Sequence, residues 1–289
     1  MKNDNGPDLL GVCEVENENV LNALVERLND NLHGRLYKVV YATSDLSFRG
    51  IDTAFIYDSQ LLDIVPESIF NHFVMRRTGT RDILQATFQS KESKSELVVM
   101  SNHWPSRSGG VELSSGFRAT AAETLSYWHT RILEESRDKD KTAVLAFGDF
   151  NDDPWDLSLT AHALATREKD DVLQSKSAHF YNLSWQYLKT NATSNTGKIR
   201  DIWGTLYYKG NGNVFDQILV NRNLINNSKG FRALEDSAEV ICFPEMVSSS
   251  KNLGPIRFGL PKGNPSKNIN TDGFSDHFPI SVTLRDEPS

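Results

Sequence analysis

The stretch Gly148-Asp149-Phe150-Asn151-Asp152-Asp153-Pro154 follows an apolar run, Ala143–Phe147, that reads as a buried strand. Asp149 and Asn151 stand two residues apart, so a turn can aim both at one small volume. There a carboxylate orients a water and an amide holds a phosphoryl oxygen. The same spelling also suits an Asp/Asn-rich turn that caps a helix after Pro154. Ser275-Asp276-His277-Phe278-Pro279 sets an acid beside a histidine at the mouth of another strand, which taken alone fits an ordinary surface turn. Its company changes the reading. His103, in Asn102-His103-Trp104-Pro105-Ser106-Arg107, is a second strand-end histidine, and Asp216, in Phe215-Asp216-Gln217-Ile218, is a carboxylate entering an apolar strand. Two histidines and separated carboxylates can divide metal binding, water activation and leaving-group stabilisation among themselves. Glu14 interrupts the apolar segment Leu9–Cys13 either as the solvent face of an edge strand or as the hard oxygen donor that Mg²⁺ prefers. The basic cluster Arg76, Arg77 and Arg81 can guide a phosphate.

These residues need a scaffold that ends its strands in one place. Short runs rich in Val, Ile, Leu and Phe predict strands at Leu9–Cys13, Ile51–Tyr57, Ile83–Phe88, Leu97–Met100, Ala143–Phe147, Phe215–Val220 and Phe278–Leu284. Helical spacing predicts one helix over Asn19–Leu32, with Val20, Leu21, Leu24, Val25 and Leu28 inward. A second runs over Arg118–Glu135, with Ala121, Ala122, Leu125, Trp128 and Ile132 inward, and a short third follows Pro154. The alternation is that of a layered α/β protein. Glu14, His103, Asp149, Asn151, Asp276 and His277 all fall at strand ends, which suits a site at one rim of a sheet. Gly197–Asn213 and Ser248–Asp272, rich in Gly, Asn, Ser, Lys and Pro, read as long loops that shape substrate choice.

No internal repeat, low-complexity tract or linker divides the 289 residues, so one domain over 1–289 is the simpler reading. No apolar run approaches the ~18 residues that cross a bilayer, and the start of the chain has no secretory pattern, so a soluble protein in the cytoplasm is the default. Cys13 and Cys242 are too few for a disulfide framework, and no Cys/His spacing suggests zinc, so both read as structural. A formal net charge of -7 and a pI near 5.5 argue against holding nucleic acid through a broad basic surface. An acidic centre for a divalent cation accounts for part of that charge.

In order, the motifs Glu14-Val15-Glu16-Asn17, Arg49-Gly50-Ile51-Asp52, Arg81-Asp82-Ile83-Leu84, Asn102-His103-Trp104-Pro105-Ser106-Arg107, Gly148-Asp149-Phe150-Asn151, Phe215-Asp216-Gln217-Ile218 and Ser275-Asp276-His277 resemble the endonuclease/exonuclease/phosphatase superfamily. That group includes pancreatic deoxyribonuclease and the abasic-site endonucleases, and the spelling is nearest to a bacterial subgroup of family hydrolases. The resemblance implies a four-layer α/β/β/α sandwich with two mixed β-sheets. It implies a phosphodiester hydrolase dependent on Mg²⁺, or Mn²⁺, acting on nucleic acid or on a small phosphoester. The alternatives are a phosphatase for a small phosphomonoester or phospholipid headgroup, or an inactive binding remnant of the fold. Site roles follow from the same resemblance. Glu14 is the main metal ligand with Asp276 nearby, His277 binds the scissile phosphate, Asp149 orients the attacking water and Asn151 holds phosphate and water. His103 assists the leaving group, Asp52 holds the His103 tautomer, and Asp216 completes the cluster. Arg81 is the phosphate clamp, with Arg107 and Arg49 as weaker candidates; a structural ion pair suits each of these arginines equally well. Family members begin with a strand ending in an active-site Asn ahead of the segment matching Asp8–Glu14; the expectation is therefore an N-terminally shortened form.

Overall fold

A computed structural model describes residues 6–42, 52–75, 80–139, 141–250, 254–258 and 270–288. Its centre is an eight-stranded sheet. Along the sheet run β4 (Leu62–Ile64), β6 (Ile83–Ser90), β7 (Glu96–His103), β8 (Ala143–Asp149), β15 (Asp216–Asn221), β10 (Phe180–Asn182) and β9 (Ala165–Thr166), with β5 (Phe70–His72) also paired to β6. The β7–β8 and β9–β10 pairs are parallel and the others antiparallel, so the sheet is mixed.

Opposite it lie two antiparallel pieces. One holds β1 (Leu9–Val15), β3 (Asp52–Asp58) and β2 (Tyr37–Tyr41) in the order β1-β3-β2; the other pairs β16 (Gly230–Val240) with β17 (Ile280–Glu287). Phe55, Phe88, Leu97, Val99, Leu145, Ile218, Phe231, Val240 and Phe278 fill one core between the large sheet and both pieces. Alternation along β3 turns Ala54 and Ile56 the other way, onto Leu21 and Val25 of α1 (Glu18–Asn31). Val98, Met100, Val144 and Ala146 likewise leave the central core for Ala121, Ala122 and Leu125 of α2 (Val111–Glu135). The layers are thus helix, sheet, sheet, helix. This is the α/β/β/α class expected from the motifs. Among the described residues the layer facing the large sheet is split, because no ladder joins the three-stranded piece to the two-stranded one. No helix among the described residues is long and apolar enough to cross a membrane.

Several expectations change in detail. Val20 and Leu24 are exposed, since α1 covers only three strands and a narrow stripe through Leu21, Val25 and Leu28 suffices. α2 begins at Val111, seven residues before Arg118; Gly110, at φ 109°, supplies the break ahead of its first turn. Trp128 and Ile132 are only partly buried, and the helix expected after Pro154 is a five-residue turn, Ser158–His162. Gly197–Asn213 is not a long loop. It folds into β12 (Ile199–Ile202), paired with β11 (Thr190–Thr193), and a hairpin of β13 (Leu206–Tyr208) and β14 (Asn211–Asn213). Two short helices, α3 (Lys169–Gln174) and α4 (Arg222–Asn226), complete the chain order. Of Ser248–Asp272, residues 251–253 and 259–269 lie outside the described residues.

Candidate active site

Sheet register builds the centre of the site. His103 at the end of β7 is the Cα partner of Asp149 at the end of β8, and Asp149 is the partner of Asp216 at the start of β15. Paired residues share a sheet face, and the period of two puts these three with Leu97, Val99, Leu145, Ile218 and Val220, facing the split layer. The row stands at one rim, where Asp149 Oδ2 is 3.6 Å from His103 Nε2.

The opposing layer closes over this row. At Gly11 an added Cβ would lie 1.9 Å from the Phe147 ring, so β1 crosses directly over β8 only because residue 11 has no side chain. Between Val12 and Val15 the β1–β3 register shifts by one residue, and Glu14 sits in that bulge at φ 61°. The bulge brings the half-exposed Glu14 carboxylate to 4.0 Å from His103 Nε2. On the far side His277 precedes β17, held by a bridge to Leu206, and its Nδ1 lies 2.7 Å from Asp216 Oδ2. Thr205 ties this corner together: its hydroxyl accepts from Asp216 N at 3.1 Å and its carbonyl from Phe278 N at 2.8 Å.

Charges in the cluster are strongly biased. Burial pushes the Asp149 carboxyl up, with Asp216 and Glu14 adding to the rise while His277 and the Asn151 N–H oppose it. Burial would lower His277, but Asp216, Asp149 and Asp276 outweigh it and lift the imidazole to about 10. His103 is driven the other way, to about 3, by burial and by the positive charges of Arg81 and His277. At neutral pH the pocket therefore pairs a cationic His277 with a neutral His103 across a carboxyl that holds its proton unusually well.

Other expected residues take different posts. Asn151, at φ 51°, donates its backbone N–H to Asp149 Oδ1 and its side-chain amide to Asp149 Oδ2, both at 2.8 Å, and the amide also donates to Trp104 O at 3.0 Å. Both amide hydrogens are used, so here Asn151 grips Asp149 instead of presenting a free donor to phosphate. Asp52 does not hold His103: its Oδ2 accepts from the Tyr41 hydroxyl at 2.9 Å, while its Oδ1 and His103 Nδ1 are both buried without a hydrogen-bond partner among the described residues. Of the two readings open for Arg107, the structure shows the ion pair. Its guanidinium pairs with Asp152 at 2.7 Å, Asp153 at 3.5 Å and Asp156, donates to Asn151 O at 2.8 Å and stacks 4.6 Å over Phe215. Arg81 acts on His103 through its charge, and Asp276 adjoins His277. Arg49, Arg76 and Arg77 fall outside the described residues.

Cys13 donates to Asn102 O at 3.6 Å, and its thiol is pushed up by burial, which fits the structural reading. Two positioning residues were missed in the sequence. Arg118, fully buried in α2, pairs with Asp152 at 2.7 Å. Gln217 donates to Asp152 O at 2.6 Å and Val214 O at 3.0 Å, and accepts from Asn182 at 2.7 Å. Their signal was a polar side chain inside a run that reads as core.

Among the described residues no three His, Cys, Asp or Glu side chains form a group that could hold a metal ion. The donor set still suits a hard cation that takes one or two carboxylates and keeps its waters, because Glu14 and Asp216 crowd Asp149 with negative charge that a divalent ion relieves.

The sequence profile of the Endonuclease/Exonuclease/phosphatase family matches residues 1–286. No curated protein matches the chain by sequence. Among solved structures, the Bacteroides thetaiotaomicron mannosyl-6-phosphatase Bt3783 superposes with a TM-score of 0.55 at 16% identity, covering 96% of this chain and 85% of its own. The human Nocturnin catalytic domain gives 0.54 at 16%, over 96% and 82%. D. rerio TDP2, complexed with single strand DNA product, gives 0.50 at 13%, over 96% and 86%. At such identities the superpositions speak for the fold.

Proposed function

We propose, from the premise that this chain belongs to the endonuclease/exonuclease/phosphatase family, that it is a nuclease-like hydrolase of phosphodiesters that works with Mg²⁺ or Mn²⁺. The observation that carries the reading is the in-register row His103, Asp149, Asp216, closed by the 2.7 Å contact of Asp216 with His277. Asp149, held by Asn151 and with its pKa raised by burial, orients the attacking water and takes its proton. The water oxygen bonds to phosphorus as the P–O ester bond breaks. The cationic His277, oriented by Asp216, donates a hydrogen bond to a phosphoryl oxygen as charge gathers there. His103, kept neutral, offers a ring N–H to the departing oxygen, and Arg81 adds positive charge on that side. Glu14, with Asp276, would hold the divalent ion, which supplies Lewis-acid stabilisation of the phosphoryl and leaving oxygens when bound.

A second reading keeps this chemistry for a small phosphomonoester. It is favoured by the net charge of -7, which repels a polyanion. Hydrolysis of bis-p-nitrophenyl phosphate, plasmid DNA and p-nitrophenyl phosphate, each with and without Mg²⁺ or Mn²⁺, separates the two. The diesters should be cleaved only with metal and only by protein with an intact His277, with His277→Ala inactive. Monoester turnover alone supports the second reading. Folded wild-type protein that cleaves none of them contradicts both and leaves a non-catalytic binding protein.

A further inference from the structure

Tryptophans gather on the rim that carries the carboxylate row. β10 is antiparallel to β15, which is antiparallel to β8, and β9 is parallel to β10, so β7, β8, β9 and β10 all end at one rim. Trp155 follows β8, Trp185 follows β10 and Arg167 follows β9. One strand, β15, lies between β8 and β10, so two strand spacings, about 10 Å along the rim, separate Asp149 from the end of β10. Both tryptophan segments are anchored to the site. The Trp185 turn is fixed by Tyr187, whose hydroxyl donates to Asp216 O at 3.0 Å. The Trp155 loop is fixed by Asp153, which accepts from Val214 N at 2.7 Å beside Asp216.

The rings of Trp155 and Trp185 lie 5.7 Å apart at 63°, so Trp185 braces its neighbour edge-on, and Arg167 lies 5.1 Å over Trp185. Trp155 is left 52% exposed. With Leu157, also exposed, it puts apolar surface on the loop that follows Asp149. A second pair repeats the chemistry: Lys189 stands 4.9 Å over Trp203, which is half-exposed and two residues ahead of Thr205 at the Asp216 corner.

We infer that Trp155, braced by Trp185, is a stacking platform for an unpaired nucleobase of the substrate, near the phosphate that reaches Asp149. The inference rests on the phosphodiester reading and narrows its substrate to strands or ends whose bases are free to stack. A flat base face fits better than a sugar, because the loop around Trp155 offers the exposed Leu157, while Asp156 is committed to Arg107. Stacking also suits an acidic protein, since it attracts a base without a broad basic surface, and cations over the rings meet the adjoining phosphates.

The test is binding of labelled oligothymidylate, followed by fluorescence anisotropy with metal removed by chelation, beside an abasic backbone of equal length. Wild-type protein should prefer the base-bearing strand, Trp155→Ala should weaken that strand by about tenfold or more, and Trp155→Phe should keep most of the affinity. The abasic strand should bind both alike. Equal binding of the two strands by wild type, an unchanged affinity in Trp155→Ala, or displacement of the oligonucleotide by mannose 6-phosphate but not by thymidine monophosphate would overturn the platform. Hydrolysis of bis-p-nitrophenyl phosphate by the wild type is scored in parallel. Base-dependent binding without turnover supports the platform and faults the catalytic reading; turnover with base-independent binding does the reverse.

Discussion

Two halves of one short loop carry acids of the same type and opposite use. Asp149 is surrounded by Asp216 and Glu14, opposed by a single histidine, and its carboxyl is pushed up. Asp152, three residues on, is equally buried but enclosed by Arg107 and Arg118, and Ser158 donates to its other oxygen at 2.6 Å. The first half keeps a charge imbalance that chemistry can use; the second is neutralised and fixes the loop against α2. The difference lies in what distant segments bring: β1 and β15 supply carboxylates to one, residues 107 and 118 supply guanidinium groups to the other.

The sharpest way to break this contrast is Asp152→Ala. It strands the buried Arg118 guanidinium and takes one of three carboxylates from Arg107, and should cost about 3–5 kcal/mol in urea unfolding. A loss of activity without loss of stability there would blur the two halves. Next comes Glu14→Gln, which should leave the unfolding midpoint nearly unchanged. It should raise the Mg²⁺ or Mn²⁺ concentration for half-maximal hydrolysis by at least about tenfold. An unchanged metal requirement would move the ligand elsewhere.

The smallest effect concerns His129, a control far from any metal ligand. It is fully buried in α2, stacked 3.9 Å from Phe180 with neither ring nitrogen hydrogen-bonded among the described residues, and burial lowers it to about 3. Its unfolded value lies near 6.5, so below that pH the unfolded chain binds the extra proton. Stability should be full above about pH 6.5 and fall toward pH 3 with a slope of at most ~1.4 kcal/mol per unit from this group. His129→Phe should remove that part of the slope in denaturation series across pH, and an unaltered slope would place the acid sensitivity in another group.

Much of this contrast was legible before the structure. The strand-end positions of His103, Asp149, Asp216 and His277 follow from where apolar runs stop, and register then forces the first three together. Partner identity was not legible. Arg107 read equally as a phosphate contact or a structural ion pair, and only the folded loop shows three carboxylates around it. Asn151 read as a phosphate donor, but its left-handed backbone turns the amide onto Asp149. β16 went unseen because Gly-Phe-Arg-Ala-Leu-Glu-Asp-Ser-Ala-Glu-Val is dense in charge and helix formers, and only pairing with β17 makes it a strand. β2, Tyr-Lys-Val-Val-Tyr, differs from it: rich in β-branched and aromatic residues, it was legible as a short strand.

The central claim is that the unneutralised acid, not the neutralised one, activates water for phosphoester cleavage. The direct measurement is kcat for bis-p-nitrophenyl phosphate with saturating Mn²⁺ in wild type and Asp149→Asn, on protein whose thermal unfolding shows it to be folded. The account predicts a fall of about 10²–10⁴-fold with stability retained; a folded Asp149→Asn enzyme that keeps wild-type kcat would contradict it.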